Sequence, residues 1–260
     1  MRKNYIKGEL VMYKNYIFDL YGTLVDINTN EHKHSLWKNM AMIYSMSGAN
    51  YTPAELKKTY YRFLDEEIKS LPKEKYSTNP EPQIDNVFRR MYTAKGAECN
   101  LKTAQMTGRV FRALSLKYIR LYDGVHELFE EIRSHGGKAY LLSNAQRTFT
   151  EPEIRMLGIY DKFEDVMISS DEGCAKPDIL FYQKLLKKHG LDPKESVMIG
   201  NDYQTDIGGA YRAGLDSLYL HTNISPEIKG ELLSTYSVMD GDLFKAIAFL
   251  FPDSVKAVTE

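Results

Sequence analysis

Asp19-Leu20-Tyr21-Gly22-Thr23-Leu24 follows the stretch Tyr13 to Phe18, apolar but for Lys14 and Asn15, that reads as a buried strand. A carboxylate at the C-terminal end of such a strand sits where open α/β sheets place their ligands. Gly22 lets the chain turn sharply, and Thr23 offers a hydroxyl and a backbone N–H to an anion. Alone, the stretch is weak evidence, because a strand-end Asp is often only a helix cap or a turn former.

Three later segments change that. Tyr140-Leu141-Leu142-Ser143-Asn144 is a second apolar strand ending in two small polar residues. Cys174-Ala175-Lys176-Pro177-Asp178 puts a lysine just before a helix start, with Pro177 and Asp178 suited to the first turn. Val197-Met198-Ile199-Gly200 is a further strand, followed by Asn201-Asp202-Tyr203-Gln204-Thr205-Asp206. Taken singly, Ser143-Asn144 is a turn, Lys176 a solvated lysine, Asp202 a helix N-cap and Asp206 a surface residue of a first turn. Taken together, each at a strand end and in order, they read as a site.

The spacing between them fixes the architecture. Strands are expected at Tyr13–Asp19, Lys138–Leu142, Asp165–Ile168, Ser196–Ile199 and Ser217–Leu220, with a last one at Tyr236–Met239. Helical patterns run over Val125–Ser134, Glu151–Leu157, Ile179–His189, Asp206–Ala213 and Asp242–Phe251. Strands alternating with helices of about ten residues predict an α/β fold with a doubly wound, Rossmann-like parallel sheet. Gly208-Gly209-Ala210 is expected to let a helix pack closely on that sheet.

Residues 27–120 break the alternation and hold no convincing strand. Helices fit at Glu31–Ser47, Pro53–Ser70, Ile84–Gly96 and Thr103–Ile119, and Thr52-Pro53-Ala54-Glu55 reads as a capping box. Leu71 to Pro82 reads as a connector or flexible loop. The expected organisation is an N-terminal extension over residues 1–12, a core over 13–26 and 121–260, and a four-helix cap over 27–120. His32, Lys33, His34 and Lys38 could approach a substrate anion, though a solvated basic helix start explains them more simply.

The four motifs resemble those of the haloacid dehalogenase-like hydrolase superfamily, in the branch whose helical cap follows the first motif. The resemblance implies that Asp19 is a nucleophile that forms a covalent ester which water then cleaves. It implies that Ser143 and Asn144 bind the oxygens of the transferred group and that Lys176 stabilises charge on Asp19 and the substrate. Asp202 and Asp206, four apart, can face one side of a starting helix, and with Asp19 they suit Mg²⁺. The backbone carbonyl of Tyr21 completes the metal ligands, as in the family, and the substrate implied is a small phosphorylated metabolite.

Two features depart from that pattern. The phosphatase motif is D-x-D-G-T, and Tyr21 stands where its second Asp protonates the leaving group. L-2-haloacid dehalogenases carry D-x-Y-G-T, since a halide needs no proton, and Tyr182 also agrees with them. Against them stand the acids at 202 and 206 and the lack of any arginine between Asp26 and Tyr61 to grip a carboxylate. Asn201 occupies the place where many relatives have the first metal-binding Asp. The alternatives to a Mg²⁺-dependent phosphatase are thus a dehalogenase and a phosphate-binding protein of weak activity.

Composition sets the outer bounds. The 260 residues carry 43% apolar and 27% charged side chains, as soluble globular proteins do. A net charge of −1 gives no electrostatic case for nucleic acid or an anionic membrane. Two cysteines, Cys99 and Cys174, make no disulfide framework and fit a reducing cytosol. No apolar run reaches the ~18 residues of a membrane span, and no signal-peptide core precedes Met12.

Overall fold

The strand before Asp19 becomes the middle of a sheet. A computed structural model describes residues 13–71 and 78–252, with 5–6 and 9–10. Along the chain, β1 (Tyr5–Ile6), β2 (Glu9–Leu10), β3 (Asn15–Phe18) and β4 (Val25–Thr29) precede helices α1 (His34–Met46), α2 (Pro53–Ser70), α3 (Ile84–Thr93) and α4 (Leu101–Ser115). There follow β5 (Leu116–Leu121), α5 (Val125–Ser134), β6 (Lys138–Ser143), α6 (Arg147–Met156), β7 (Asp165–Ile168), the single turn α7 (Ser169–Glu172) and α8 (Ile179–His189). β8 (Ser196–Gly200), α9 (Gly208–Ala213), β9 (Asp216–Leu220), β10 (Tyr236–Val238) and α10 (Leu243–Leu250) complete the order.

Six strands form one sheet in the order β10-β9-β8-β3-β6-β7, every pairing parallel. This is the Rossmann-like doubly wound sheet. β3 is wholly buried because both faces are covered, which suits the apolar Tyr16-Ile17-Phe18, while Asn15 at its start donates to Ser196 Oγ at 3.1 Å. Tyr16 and Phe18 pack towards α5 and α10, while Ile17 packs with Phe181 and Leu185 of α8 on the other face. The strand ends therefore converge on one edge, where Asp19, Ser143 and Gly200 emerge.

The four-helix region has its own core of Leu36, Trp37, Met40, Tyr44, Tyr60, Phe63, Phe88, Met91 and Phe111. Thr52 caps α2 by accepting from the Glu55 N–H, but the Glu55 carboxylate turns to Lys95 at 2.7 Å, so the capping box is half made. His32, His34 and Lys38 are exposed, whereas the Lys33 ammonium donates to the carbonyls of Leu114, Ser115 and Leu116 at the end of α4.

Several expectations are corrected. Residues 27–120 are not free of strand: β4 and β5 pair antiparallel, Asp26 opposite Arg120 and Ile27 opposite Ile119. The expected domain boundaries fall within this ribbon. Tyr118–Leu121 alternates in exposure because only one face of β5 is covered, and in sequence the strand is masked as the tail of a helix. Gly209 makes room for the Tyr182 ring of α8, 2.5 Å from where a Cβ would stand, rather than for the sheet. Asp178 caps α8 instead of lying in its first turn. The extension expected over residues 1–12 lies outside the described residues apart from β1 and β2, as do 72–77 of the connector. Residues 78–82, in contrast, are pinned: the Asn79 carbonyl accepts from Ala175 N–H at 2.9 Å, and Glu81 N–H donates to Gly173. Among the described residues no helix is long and apolar enough to cross a membrane.

Candidate active site

Asp19 leaves the end of β3, its N–H donating to the Ile199 carbonyl at 3.0 Å. The Lys176 ammonium lies 2.7 Å from Asp19 Oδ1 and 2.8 Å from Asp206 Oδ1. All three side chains are buried. Burial alone would lower the lysine pKa, but the two carboxylates outweigh it and raise it, so Lys176 stays charged. One ammonium cannot neutralise two carboxylates. The Asp206 pKa is accordingly pushed up to about 7, by burial first, with Lys176 opposing and Asp19 adding to the rise.

The loop after Asp19 is tightly wound. Gly22 has φ of +89°, and a Cβ there would collide with the Asn201 side chain, so both the backbone and the space demand glycine. The Thr23 hydroxyl lies 3.3 Å from Asp19 Oδ2 and 3.4 Å from Asn201 Oδ1. Its N–H is used within the loop, donating to Leu20.

Ser143 ends β6 with a fully buried hydroxyl that has no hydrogen-bond partner among the described residues. A buried donor left unpaired costs about 1–3 kcal/mol, and an oxygen bound at this edge would meet it. Asn144 does something else. Its amide donates to the Lys176 carbonyl at 2.8 Å and accepts from the Lys176 N–H at 2.7 Å, clamping the lysine's main chain.

The two acids after β8 differ sharply. Asp206 accepts from the Asp202 N–H at 2.9 Å and faces Lys176. Asp202 turns its carboxylate to its own turn, capping the N–H groups of Gln204 and Thr205. The oxygen that shares Thr23 with Asp19 is the Asn201 amide. Among the described residues no three Asp, Glu, His or Cys side chains share one potential metal site. A hard divalent cation nevertheless suits the donors present, which are all oxygen and include two carboxyl groups that share one ammonium. Tyr182 fixes the acid turn, its hydroxyl donating to the carbonyls of Thr205 and Asp206.

Tyr21 faces away from this chemistry. Its hydroxyl donates to Glu153 and lies 3.1 Å from Thr150 Oγ1. Burial first, then the Glu153 charge, raise its pKa, so the phenol stays neutral. Glu153 is in turn held by Arg112 of α4, with Nε 2.6 Å from Oε1. Sequence reading missed both residues, since neither lies near a motif and Arg112 comes from the four-helix region. Thr222 and Ser225 were missed too; their one signal is a cluster of turn-forming residues directly after a strand.

A profile of the haloacid dehalogenase-like hydrolase family matches residues 13–214. The pyrimidine 5'-nucleotidase PynA of Streptococcus pneumoniae is 23% identical over 211 residues, 80% of this chain and 84% of that protein. A glyceraldehyde 3-phosphate phosphatase of Methanopyrus kandleri is 26% identical over 204 residues, 78% of this chain and 82% of its own. The crystal structure of 2-haloacid dehalogenase from Pseudomonas syringae pv. Tomato DC3000 superposes with a TM-score of 0.61 at 19% identity, covering 92% of this chain and 99% of that one. At that identity the superposition speaks for the fold alone. The matched profile spans most of the chain, and the protein belongs to the haloacid dehalogenase-like hydrolase family.

Proposed function

We propose that the protein is a phosphatase acting on a small phosphorylated metabolite through an aspartyl-phosphate at Asp19. The observation that carries this reading is Asp19 paired to Lys176 at 2.7 Å, at the same sheet edge as the unpartnered Ser143 hydroxyl. The Asp19 carboxylate attacks phosphorus as the bond to the leaving oxygen breaks, and water then cleaves the phosphoryl ester. Lys176 stabilises the charge that develops, aimed by Asn144. Ser143 donates to a phosphoryl oxygen. Mg²⁺ would be held by Asp19, Asp206, the Asn201 amide and the Tyr21 carbonyl, and when bound it supplies further charge stabilisation. The helices of residues 27–120 act as the cap that limits access. Two free cysteines agree with a cytosolic setting.

The Tyr21 hydroxyl is committed to donating a hydrogen bond to Glu153, so the leaving oxygen takes its proton from solvent. The reading therefore favours esters of acidic alcohols over simple alkyl esters. The test is hydrolysis of an aryl phosphate with Mg²⁺ and with a chelator, beside Asp19→Asn. Magnesium-dependent turnover that falls at least ~10³-fold in Asp19→Asn is expected. Full turnover by that variant would end the mechanism.

One observation favours a second reading. Lys176 already lies between the two acids, and a halide leaving group needs no acid in the place of Tyr21. Chelator-resistant turnover of a 2-halocarboxylate would establish a dehalogenase instead. Phosphate-ester binding without product release would mark a binding protein.

A further inference from the structure

The turn after β9 reaches three parts of the site at once. Ser225 N–H donates to the Thr222 carbonyl, closing a β-turn over residues 222–225. The buried Thr222 hydroxyl donates to the Gly22 carbonyl at 2.7 Å. Ser225 Oγ accepts from the Thr222 N–H at 2.9 Å and from the Asn201 amide at 3.4 Å. Between them the Asn223 side-chain amide donates from Nδ2 to Asp26 Oδ1 at 3.1 Å and accepts at Oδ1 from the Tyr122 hydroxyl at 2.5 Å.

These bonds have a common consequence. A peptide's C=O and N–H point in opposite directions, so holding the Gly22 carbonyl fixes the Gly22–Thr23 plane. That plane sets where Thr23 sits beside Asp19. Ser225 steadies Asn201, the side chain that Gly22 leaves room for. Asp26 lies in β4, where the chain enters the four-helix region, and is buried. One turn thus ties the reactive loop, the Asn201 amide and the entry ribbon together.

We propose that Thr222 is a positioning residue for the Asp19–Thr23 loop, acting through the Gly22 carbonyl, and that Asn223 links the same turn to the ribbon. The kinetic consequence rests on the hydrolase reading of Asp19; the structural consequence does not.

The test compares the full chain with Thr222→Val, Thr222→Ser and Asn223→Ala. Thr222→Val removes the donor at nearly constant volume, and kcat should fall about tenfold with KM within about twofold. Thr222→Ser should restore kcat to within about twofold. Amide hydrogen exchange should quicken over residues 20–25 in Thr222→Val and not in Thr222→Ser, with α2 unchanged in both. Asn223→Ala should leave 20–24 protected and quicken exchange over residues 26–29 of β4. Unchanged kcat with unchanged exchange in Thr222→Val overturns the proposal, as does a serine variant no better than valine. If the unaltered protein hydrolyses no phosphate ester, the phosphatase reading fails and the exchange comparison alone decides the role of Thr222.

Discussion

The four-helix core is held by rings and the sheet edge by charges. Trp37 lies 5.3 Å from Tyr60 and 5.6 Å from Phe111, and Tyr60 stacks on Phe111 at 5.3 Å. Even its polar atoms serve packing: the Tyr44 and Tyr51 hydroxyls donate to the carbonyls of Phe88 and Met91. Around Asp19 the neighbours are Lys176, Asp206, Thr23 and Asn201. Apolar contacts are forgiving, because each is small and neighbours partly fill a gap. Buried charges are not, because removing one leaves another uncompensated. The two regions should therefore fail differently under mutation.

Lys176→Met gives the largest expected effect. Two buried carboxylates lose their shared cation, which should cost about 3–5 kcal/mol. Hydrolysis should fall by at least ~10³-fold as the transition-state charge goes unmet. Denaturant unfolding and turnover measure the two effects together; a stable, active variant would erase the contrast between the regions.

Phe111→Ala should cost a similar ~3–5 kcal/mol through the cavity it leaves among Trp37, Tyr60 and Phe88. Here the loss should fall on stability, with kcat of the folded protein within about tenfold of the parent. Trp37 is the only tryptophan, so its fluorescence reports this core directly. A kcat loss as large as that of Lys176→Met would mean that the helices shape the reactive centre itself.

Tyr21→Asp sharpens the comparison from the other side. It replaces a phenol committed to Glu153 with a short carboxyl group where the phosphatase pattern has its acid. Turnover of alkyl phosphates should rise by ~10²-fold. No rise would show that the missing acid is not what limits turnover. The variant should also melt lower, since Glu153 and Arg112 lose the phenol that packs on them.

What the sequence could and could not reveal follows the same divide. β3, β6 and β8 were legible because strands buried on both faces need apolar centres, here Tyr16–Phe18, Ala139–Leu142 and Val197–Ile199, and a polar residue soon follows each. Asp19 and Lys176 were legible as residues that bland structure rarely places together. The β4–β5 ribbon was not, because a half-exposed strand such as Leu116-Lys117-Tyr118-Ile119-Arg120-Leu121 carries charges at the spacing of a helix tail. The division of labour between Asn201 and Asp202 was not legible either. It depends on which side chain the turn after β8 points at Gly22, a matter of backbone direction rather than composition. Arg112 and Glu153 meet only because α4 packs on α6.

A pH-dependent effect belongs to the seam between the two regions. Glu81 precedes α3 and docks on the core, accepting from the Gln146 amide at 2.6 Å. Burial raises its pKa from the ordinary 4.5 to about 7, more than the hydrogen bonds from Gln146 and Ser169 lower it. Between those values the folded chain holds a proton that the unfolded chain has released, so stability falls as pH rises. Below about 4.5 both states are protonated and the cost vanishes; above about 7 it is complete. Glu81→Gln keeps an acceptor for Gln146 but cannot ionise. Relative to the parent, the variant should gain stability as pH rises from 4.5 to 7, by at most about 1.4 kcal/mol per pH unit, and then level off. Trp37-monitored unfolding at several pH values reads this difference. A pH-independent difference would mean that Glu81 titrates at its ordinary value in the folded chain, as it would if the docked segment opened before Glu81 ionised.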